Sequence, residues 1–144
     1  MMLPPAMTRE DNIKIDMFSE ACRSGDFEKV IQIYSTMSRN IQRKYALNGF
    51  PFEIACHSGN LRIVSWLHNH HMSARAPCYD EAFYLACSGG HLAVVKWLYS
   101  LGHIDIYHER CRAFHRARIN RHTDVLRFFV SLDKRFKAMC SVTR

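Results

Sequence analysis

Glycine is scarce in this chain. There are six in 144 residues, Gly25, Gly49, Gly59, Gly89, Gly90 and Gly102, and each is explained by a turn. A phosphate-cradling loop needs clustered glycines so that backbone N–H groups can approach the phosphate. Nucleotide chemistry of that kind is therefore excluded. No His-Glu-x-x-His pair, nucleophile elbow or kinase signature occurs. Adjacent carboxylates are confined to Glu10–Asp11 and Asp80–Glu81, which read as loop and helix-start charges. Catalysis has no support in these residues, and no cofactor is expected. No run approaches the roughly 18 uninterrupted apolar residues of a membrane span. The opening "MMLPPAMTREDNIK" lacks the basic start and apolar core of a signal peptide, and no N-x-[ST] acceptor is present. The expectation is a soluble, intracellular protein of cytoplasm or nucleus, without a membrane role. Its six cysteines are then reduced thiols rather than disulfides.

Charge is present but lopsided. Residues 1–109 carry 10 Lys/Arg and 11 Asp/Glu, a balance of −1, whereas residues 110–144 carry 10 Lys/Arg and 2 Asp/Glu, a balance of +8. The whole basic excess sits in the last quarter.

One unit recurs four times. "FSEACRSGDFEKVIQI" from Phe18, "FEIACHSGNLRIVSWL" from Phe52, "FYLACSGGHLAVVKWL" from Phe83 and "FHRARINRHTDVLRFF" from Phe114 align without gaps, at spacings of 34, 31 and 31 residues. Ala21, Ala55, Ala86 and Ala117 follow each Phe by three positions. Val30, Val64, Val95 and Leu126 share a phase, as do Ile33, Leu67, Leu98 and Phe129. Each unit reads as two short helices. Phe and Ala mark one face of the first. Gly25, Gly59 and Gly90 end it, because glycine takes the left-handed conformation at little steric cost. Asp26 and Asn60 are good N-caps for the second helix, His91 and His122 weaker ones. A single pair cannot bury its own apolar faces, so neighbours must stack.

The pattern resembles the ankyrin repeat. "LACSGGHLAVVKWLYSLGHIDI", Leu85 to Ile106, carries the family's leucine-alanine, glycine-histidine, valine-valine and leucine runs in order. The threonine-proline-leucine-histidine start survives only as Pro51–Phe52 and Phe114–His115, and the helix-ending glycine of the fourth copy is Arg121. A non-glycine residue with positive φ costs about 1 kcal/mol or more, which suggests remodelling of that turn. "VVKWLYSL" is also similar to ankyrin copies of large DNA viruses of amoebae.

Cys56 and four of the nine histidines, His57, His68, His70 and His71, fall between residues 56 and 71 and invite a zinc reading. The repeat favours packing instead. Cys22, Cys56 and Cys87 share one phase, beside the recurrent alanine, where a thiol fills the space of a small apolar group. Copies stacked about 10 Å apart cannot share an ion with bonds of about 2.3 Å. Trp66, Trp97 and Phe128 also share a phase and read as inter-repeat core rather than a binding platform. Asn48–Gly49 is a tight-turn pair in the long segment Ser38–Phe50. That segment, "SARAPCYD" and "IDIYHERC" are expected to form three hairpin fingers.

These readings combine into an all-α fold, an ankyrin-like helix-turn-helix solenoid with short hairpin fingers. A flexible tail is expected over 1–14, four repeats over 15–135 and a basic tail over 136–144. The resemblance implies a non-catalytic scaffold or adaptor, expected as a monomer, that binds a partner protein on its concave face. In the family the two residues after the alanine pair face the partner: Arg23 and Ser24, His57 and Ser58, Ser88 and Gly89, Ile119 and Asn120. The fingers add Pro77, Asp80, Tyr107, His108 and Arg110. Arg112 and Arg116 extend this set on the fourth repeat. The basic end has two open readings, a polar cap on the last repeat or a docking surface for an acidic protein partner. Nucleic acid or another polyanion, and a structural place in a larger, viral assembly, are the alternatives.

Overall fold

A computed structural model describes residues 7–46, 49–71 and 79–141. The chain opens on α1 (Arg9–Ser24). Thr8 and Asp11 form a reciprocal capping box at its start: the Asp11 N–H donates to Thr8 Oγ1 at 3.1 Å, and the Thr8 N–H donates to Asp11 Oδ2 at 2.9 Å. Residues 9–14, expected as tail, are therefore helical. Then follow α2 (Phe27–Thr36), the single turn α3 (Arg39–Ile41), a π-helical turn over Gln42–Ala46, α4 (Gly49–Ser58) and α5 (Leu61–His71). The second half holds α6 (Tyr79–Gly89), α7 (Leu92–Ser100), α8 (His108–Ile119), α9 (Thr123–Leu132) and α10 (Arg135–Ser141).

The first helices α1, α4, α6 and α8 stack in one layer, and the second helices α2, α5, α7 and α9 stack in another. The repeated residues build the core between them. Phe18, Phe52, Phe83 and Phe114 are at most 2% exposed, as are Ala21, Ala55, Ala86 and Ala117. Cys22, Cys56 and Cys87 are fully buried free thiols. Burial pushes the Cys22 thiol up to about 12 and the other two further, which leaves all three as inert neutral groups. Trp66, Trp97 and Phe128 are half-buried and pack against this core. Trp66 meets Tyr34 edge-on at 5.0 Å, and Trp97 meets His68 edge-on at 5.2 Å.

Two further expectations fail. The segment read as the first hairpin finger is helical over 39–46. Ile41 and Tyr45 lie one helical turn apart and pack into the core cluster, and Gln42 Nε2 donates to the Tyr34 carbonyl at the end of α2 at 2.8 Å. Helical burial of two large side chains outweighs the tight-turn preference of Asn48–Gly49, of which Asn48 lies outside the described residues. The segment expected as a basic tail over 136–144 is likewise helical up to Ser141. Phe136 of α10 is 1% exposed and sits 4.8 Å from Phe114 and 5.2 Å from Phe129. Its ring covers the apolar end that a fifth repeat would otherwise cover. Among the described residues there is no strand. Most of the second finger lies outside the described residues, and the third is irregular chain over 103–105 and a turn at 106–107 that runs into α8.

Candidate functional site: the face of the first helices

The turn at the C-terminal end of each first helix is set by the backbone. Gly25, Gly59 and Gly90 take φ of 81°, 80° and 76°. Arg121 takes φ 59° at the equivalent place, so the turn is kept in the fourth copy in spite of the side chain. The matching backbone bonds show the same geometry: the Asn60, His91 and His122 N–H groups donate to Ala55, Ala86 and Ala117 at 3.1, 3.0 and 2.9 Å.

The residue after the turn does something the sequence reading missed. Asp26 caps its own helix through the Lys29 N–H, as expected. Asn60, His91 and His122 reach back one repeat instead. Asn60 Nδ2 donates to the Cys22 carbonyl at 3.3 Å, His91 Nε2 to the His57 carbonyl at 2.9 Å, and His122 Nε2 to the Ser88 carbonyl at 2.9 Å. A carbonyl only accepts, so the proton of both imidazoles is on Nε2. Each brace passes directly beneath the preceding glycine. A Cβ on Gly59 would stand 2.3 Å from His91 Nδ1, and one on Gly90 2.4 Å from His122 Nδ1. A polar residue after each turn, Asp26, Asn60, His91 and His122, was the visible signal, but nothing in a single chain pattern points a side chain to the repeat before it.

Arg23, Ser24, His57, Ser58 and Ser88 lie at these helix ends. Arg23, His57 and Ser58 come together in an open cleft across α1, α4 and α6, floored by Phe50, Ile54 and Leu85 and flanked by Glu53. The cleft runs on past Arg23 and Phe50 to Asp16, Ser19 and Glu20 of α1. Phe50 is 59% exposed, unlike the buried repeat phenylalanines. Arg23 is held by Glu20 at 2.6 Å. Ser24 hydroxyl returns to its own helix, donating to the Ala21 carbonyl at 3.3 Å. Ser88 is taken up by the stack: its carbonyl accepts from Asn120 Nδ2 at 2.7 Å as well as from His122. Ile119 stands 67% exposed beside it.

The remaining candidates gather at the junction of the third and fourth repeats, where they brace the fold. Asp80 accepts from the Asp105 N–H at 3.3 Å and lies 4.0 Å from His108 Nδ1. Arg112 pairs with Glu81 at 2.9 Å and Glu109 at 3.3 Å, and its guanidinium lies 3.8 Å over the Tyr84 ring. Arg116 Nε donates to Tyr84 hydroxyl at 2.9 Å. Tyr107 stacks on Phe136, donates a short hydrogen bond to Asp133 and accepts from Arg135 at 2.7 Å. That bond to Asp133 is the main cause of the raised Tyr107 pKa. Arg110 differs. It is exposed, its side chain makes no hydrogen bond or ion pair to the described residues, and it sits inside three consecutive left-handed residues, Glu109, Arg110 and Cys111, with φ of 47°, 57° and 64°. Regular helix in α8 begins after them. Pro77 lies outside the described residues.

His57, His68 and His70 of the suspected metal cluster have other partners. His70 stacks on Trp66 at 4.2 Å and bonds the Trp66 carbonyl at 2.8 Å, while His68 meets Tyr79 hydroxyl at 3.3 Å. His57 Nδ1 lies 3.5 Å from the Leu85 carbonyl. No group of three ligating side chains is found among the described residues.

Helix pairs stacked in two layers, with a closing helix and a lateral cleft, define a repeat solenoid built for surface contact. A family model for ankyrin repeats in three copies matches residues 18–109 and again 52–140, and the chain belongs to the ankyrin repeat family. Its repeats generally mediate protein–protein interaction and are typically non-catalytic. Among curated proteins none matches this chain. No described helix is long and apolar enough to cross a membrane.

Proposed function

We propose that this chain is a non-catalytic protein-binding module that takes its partner on the face of the first helices, centred on the cleft at Arg23, His57 and Ser58. The observation that carries the reading is the exposed apolar floor of that cleft. Phe50 stands 59% exposed over the half-buried Ile54 and Leu85, beside polar side chains. Apolar floor with a polar rim is the composition of a contact surface. The test is site-specific photo-crosslinking in extract of the native source. A crosslinker at His57 or Ser58 is expected to trap one partner that a crosslinker at Lys96, on the second-helix layer, does not. Equal trapping at all three positions refutes the reading.

An acidic partner surface is supported by fewer cations than the sequence suggests. Arg112, Arg116, Arg118 and Arg135 are engaged within the fold, Arg118 through the Met139 carbonyl at 2.9 Å. Arg110, Arg121, Arg127, Lys134 and Lys137 have no ion pair among the described residues. They favour a second reading, an anionic protein or polyanion docked on the C-terminal end. Phosphate contacts there would make binding fall steeply with salt.

A further inference from the structure

The carboxylates along the first helices are nearly all matched. Glu10 pairs with Lys14 at 2.7 Å, Glu20 with Arg23 at 2.6 Å, and Glu81 with Arg112 at 2.9 Å. Glu53 is the exception inside the cleft. It is half-buried, and among the described residues no hydrogen bond or ion pair reaches it. Arg23, the cation lining the same cleft, is already held by Glu20. Asp16, further along the cleft on α1, is also without an ion pair among the described residues. Around Glu53 the cleft presents an apolar side, Phe50 one turn before it, Ile54 beside it and Leu85 across on α6, and the polar His57 and Ser58 one turn after it. Burial, and secondarily the like charge of Glu81, raises the Glu53 pKa, so the site as it stands disfavours its charge. A cation brought to this carboxylate would favour its charged form and so offset both effects.

We infer that the partner enters the cleft with a lysine or arginine seated on Glu53 and an adjacent bulky apolar side chain seated on Phe50, Ile54 and Leu85. This rests on the proposed use of the first-helix face and adds the chemistry recognised there. The argument for that occupant is charge complementarity. The cleft offers two unmatched carboxylates, Glu53 and Asp16, and its one arginine is neutralised within the chain. Recognition here is therefore opposite in sign to the acidic partner that the net charge of +7 alone would suggest. Charged residues on a partner select by sign because a like charge placed on an unmatched one is strongly disfavoured.

The experiment is selection of displayed random heptapeptides on the full chain, run in parallel on wild type and Glu53→Lys, with melting curves as the folding control. Wild type is expected to enrich peptides with Lys or Arg next to Leu, Ile, Met or an aromatic residue, and E53K to lose that pool and gain Asp or Glu at the same place. Resynthesised basic peptides are expected to bind E53Q about tenfold more weakly, the usual scale for losing one charged hydrogen bond. E53Q, nearly isosteric, serves if E53K melts early. Peptides that crosslink at His57 but carry no basic preference, or pools that do not differ between wild type and E53K, overturn the cation inference and leave the first-helix reading standing. Peptides that bind without crosslinking at His57, or no enrichment at all, overturn both. Concentration-dependent self-association abolished by E53K would replace the partner with the basic end of a second copy of this chain.

Discussion

Replacing Gly59 by alanine tests whether the turns and the inter-repeat braces are one device. Two costs are separable in the structure. The first is backbone: Gly59 holds φ 80°, and the left-handed region costs an L-residue about 1–2 kcal/mol, less about 0.5 kcal/mol regained because alanine restricts the unfolded chain. The second is steric. The new Cβ would lie 2.3 Å from His91 Nδ1, so the ring must leave and its 2.9 Å bond to the His57 carbonyl goes with it, a loss of about 1 kcal/mol. G59A should therefore cost about 2 kcal/mol in wild type but only about 1 kcal/mol in an H91A background, a coupling of about 1 kcal/mol. Urea denaturation of wild type, both single variants and the double variant gives the cycle. The slopes must be checked, because a repeat array can lose cooperativity. Additive costs within about 0.3 kcal/mol would refute the idea that the histidine ring, and not backbone conformation alone, demands glycine there.

Arg121→Gly is the converse. It relieves the positive φ where no later ring packs below, and the denaturation midpoint should rise by the equivalent of about 0.5–1 kcal/mol. A fall would show that the Arg121 side chain holds the turn. Ala86→Leu places three extra carbons at a fully buried position between α6 and its neighbours, and should cost about 1–3 kcal/mol; an unchanged midpoint would contradict the packing. Iodoacetamide followed by mass spectrometry should label Cys111 and Cys140, both half-buried, while Cys22, Cys56 and Cys87 stay unlabelled until denaturant is added. Native labelling of Cys56 would refute its burial. Phe136→Ala removes the ring that closes the last repeat and should cost about 3 kcal/mol. The loosening should be seen as faster amide exchange in α8 and α9 with α1 little changed, because repeats couple mainly to neighbours; uniform acceleration would argue against a local cap.

The helix pairs, their turns and the phenylalanine-alanine-cysteine core were legible because each is a local demand repeated at fixed spacing. Phe83, Ala86 and Cys87 must face inward if Phe52, Ala55 and Cys56 do, and the left-handed turn after each pair is written in a glycine. What the sequence hid was the reach of side chains across repeats. His91 and His122 look like poor N-caps until their neighbours are in place. Arg112 and Arg116 look like free charges until Glu81 and Tyr84 are set beside them. The first finger was misread for a different reason. Asn48–Gly49 is a strong two-residue signal, but Ile41 and Tyr45 carry a helical spacing whose burial decides the outcome. In the cleft, Arg23, His57 and Ser58 were found from their repeat phase. Phe50 and Glu53 were not, because the exposure of the one and the unpaired carboxylate of the other arise only once the stack is assembled.

The departures from the repeat carry positional information of their own. At the phase where Ile63, Val94 and Val125 are buried, the first copy has Lys29, exposed. At the phase of the three buried thiols, the fourth copy has Arg118, half-buried, whose guanidinium reaches the Met139 carbonyl of α10. At the phase of the three glycines it has Arg121, and there the demand is weaker because no fifth copy sends a side chain beneath it. Each of these substitutions puts a cation where a neighbour is missing. The basic excess from Arg110 onward is thus in part the consequence of ending a stack: an end must present polarity, and arginine supplies it while its planar head still braces carbonyls, carboxylates and aromatic faces. Counting charge along a repeat chain therefore overstates what is available to a partner near its ends. Unmatched charge in the interior, where a repeat has neighbours on both sides and no structural need for an ion, is the better guide, and Glu53 is such a charge.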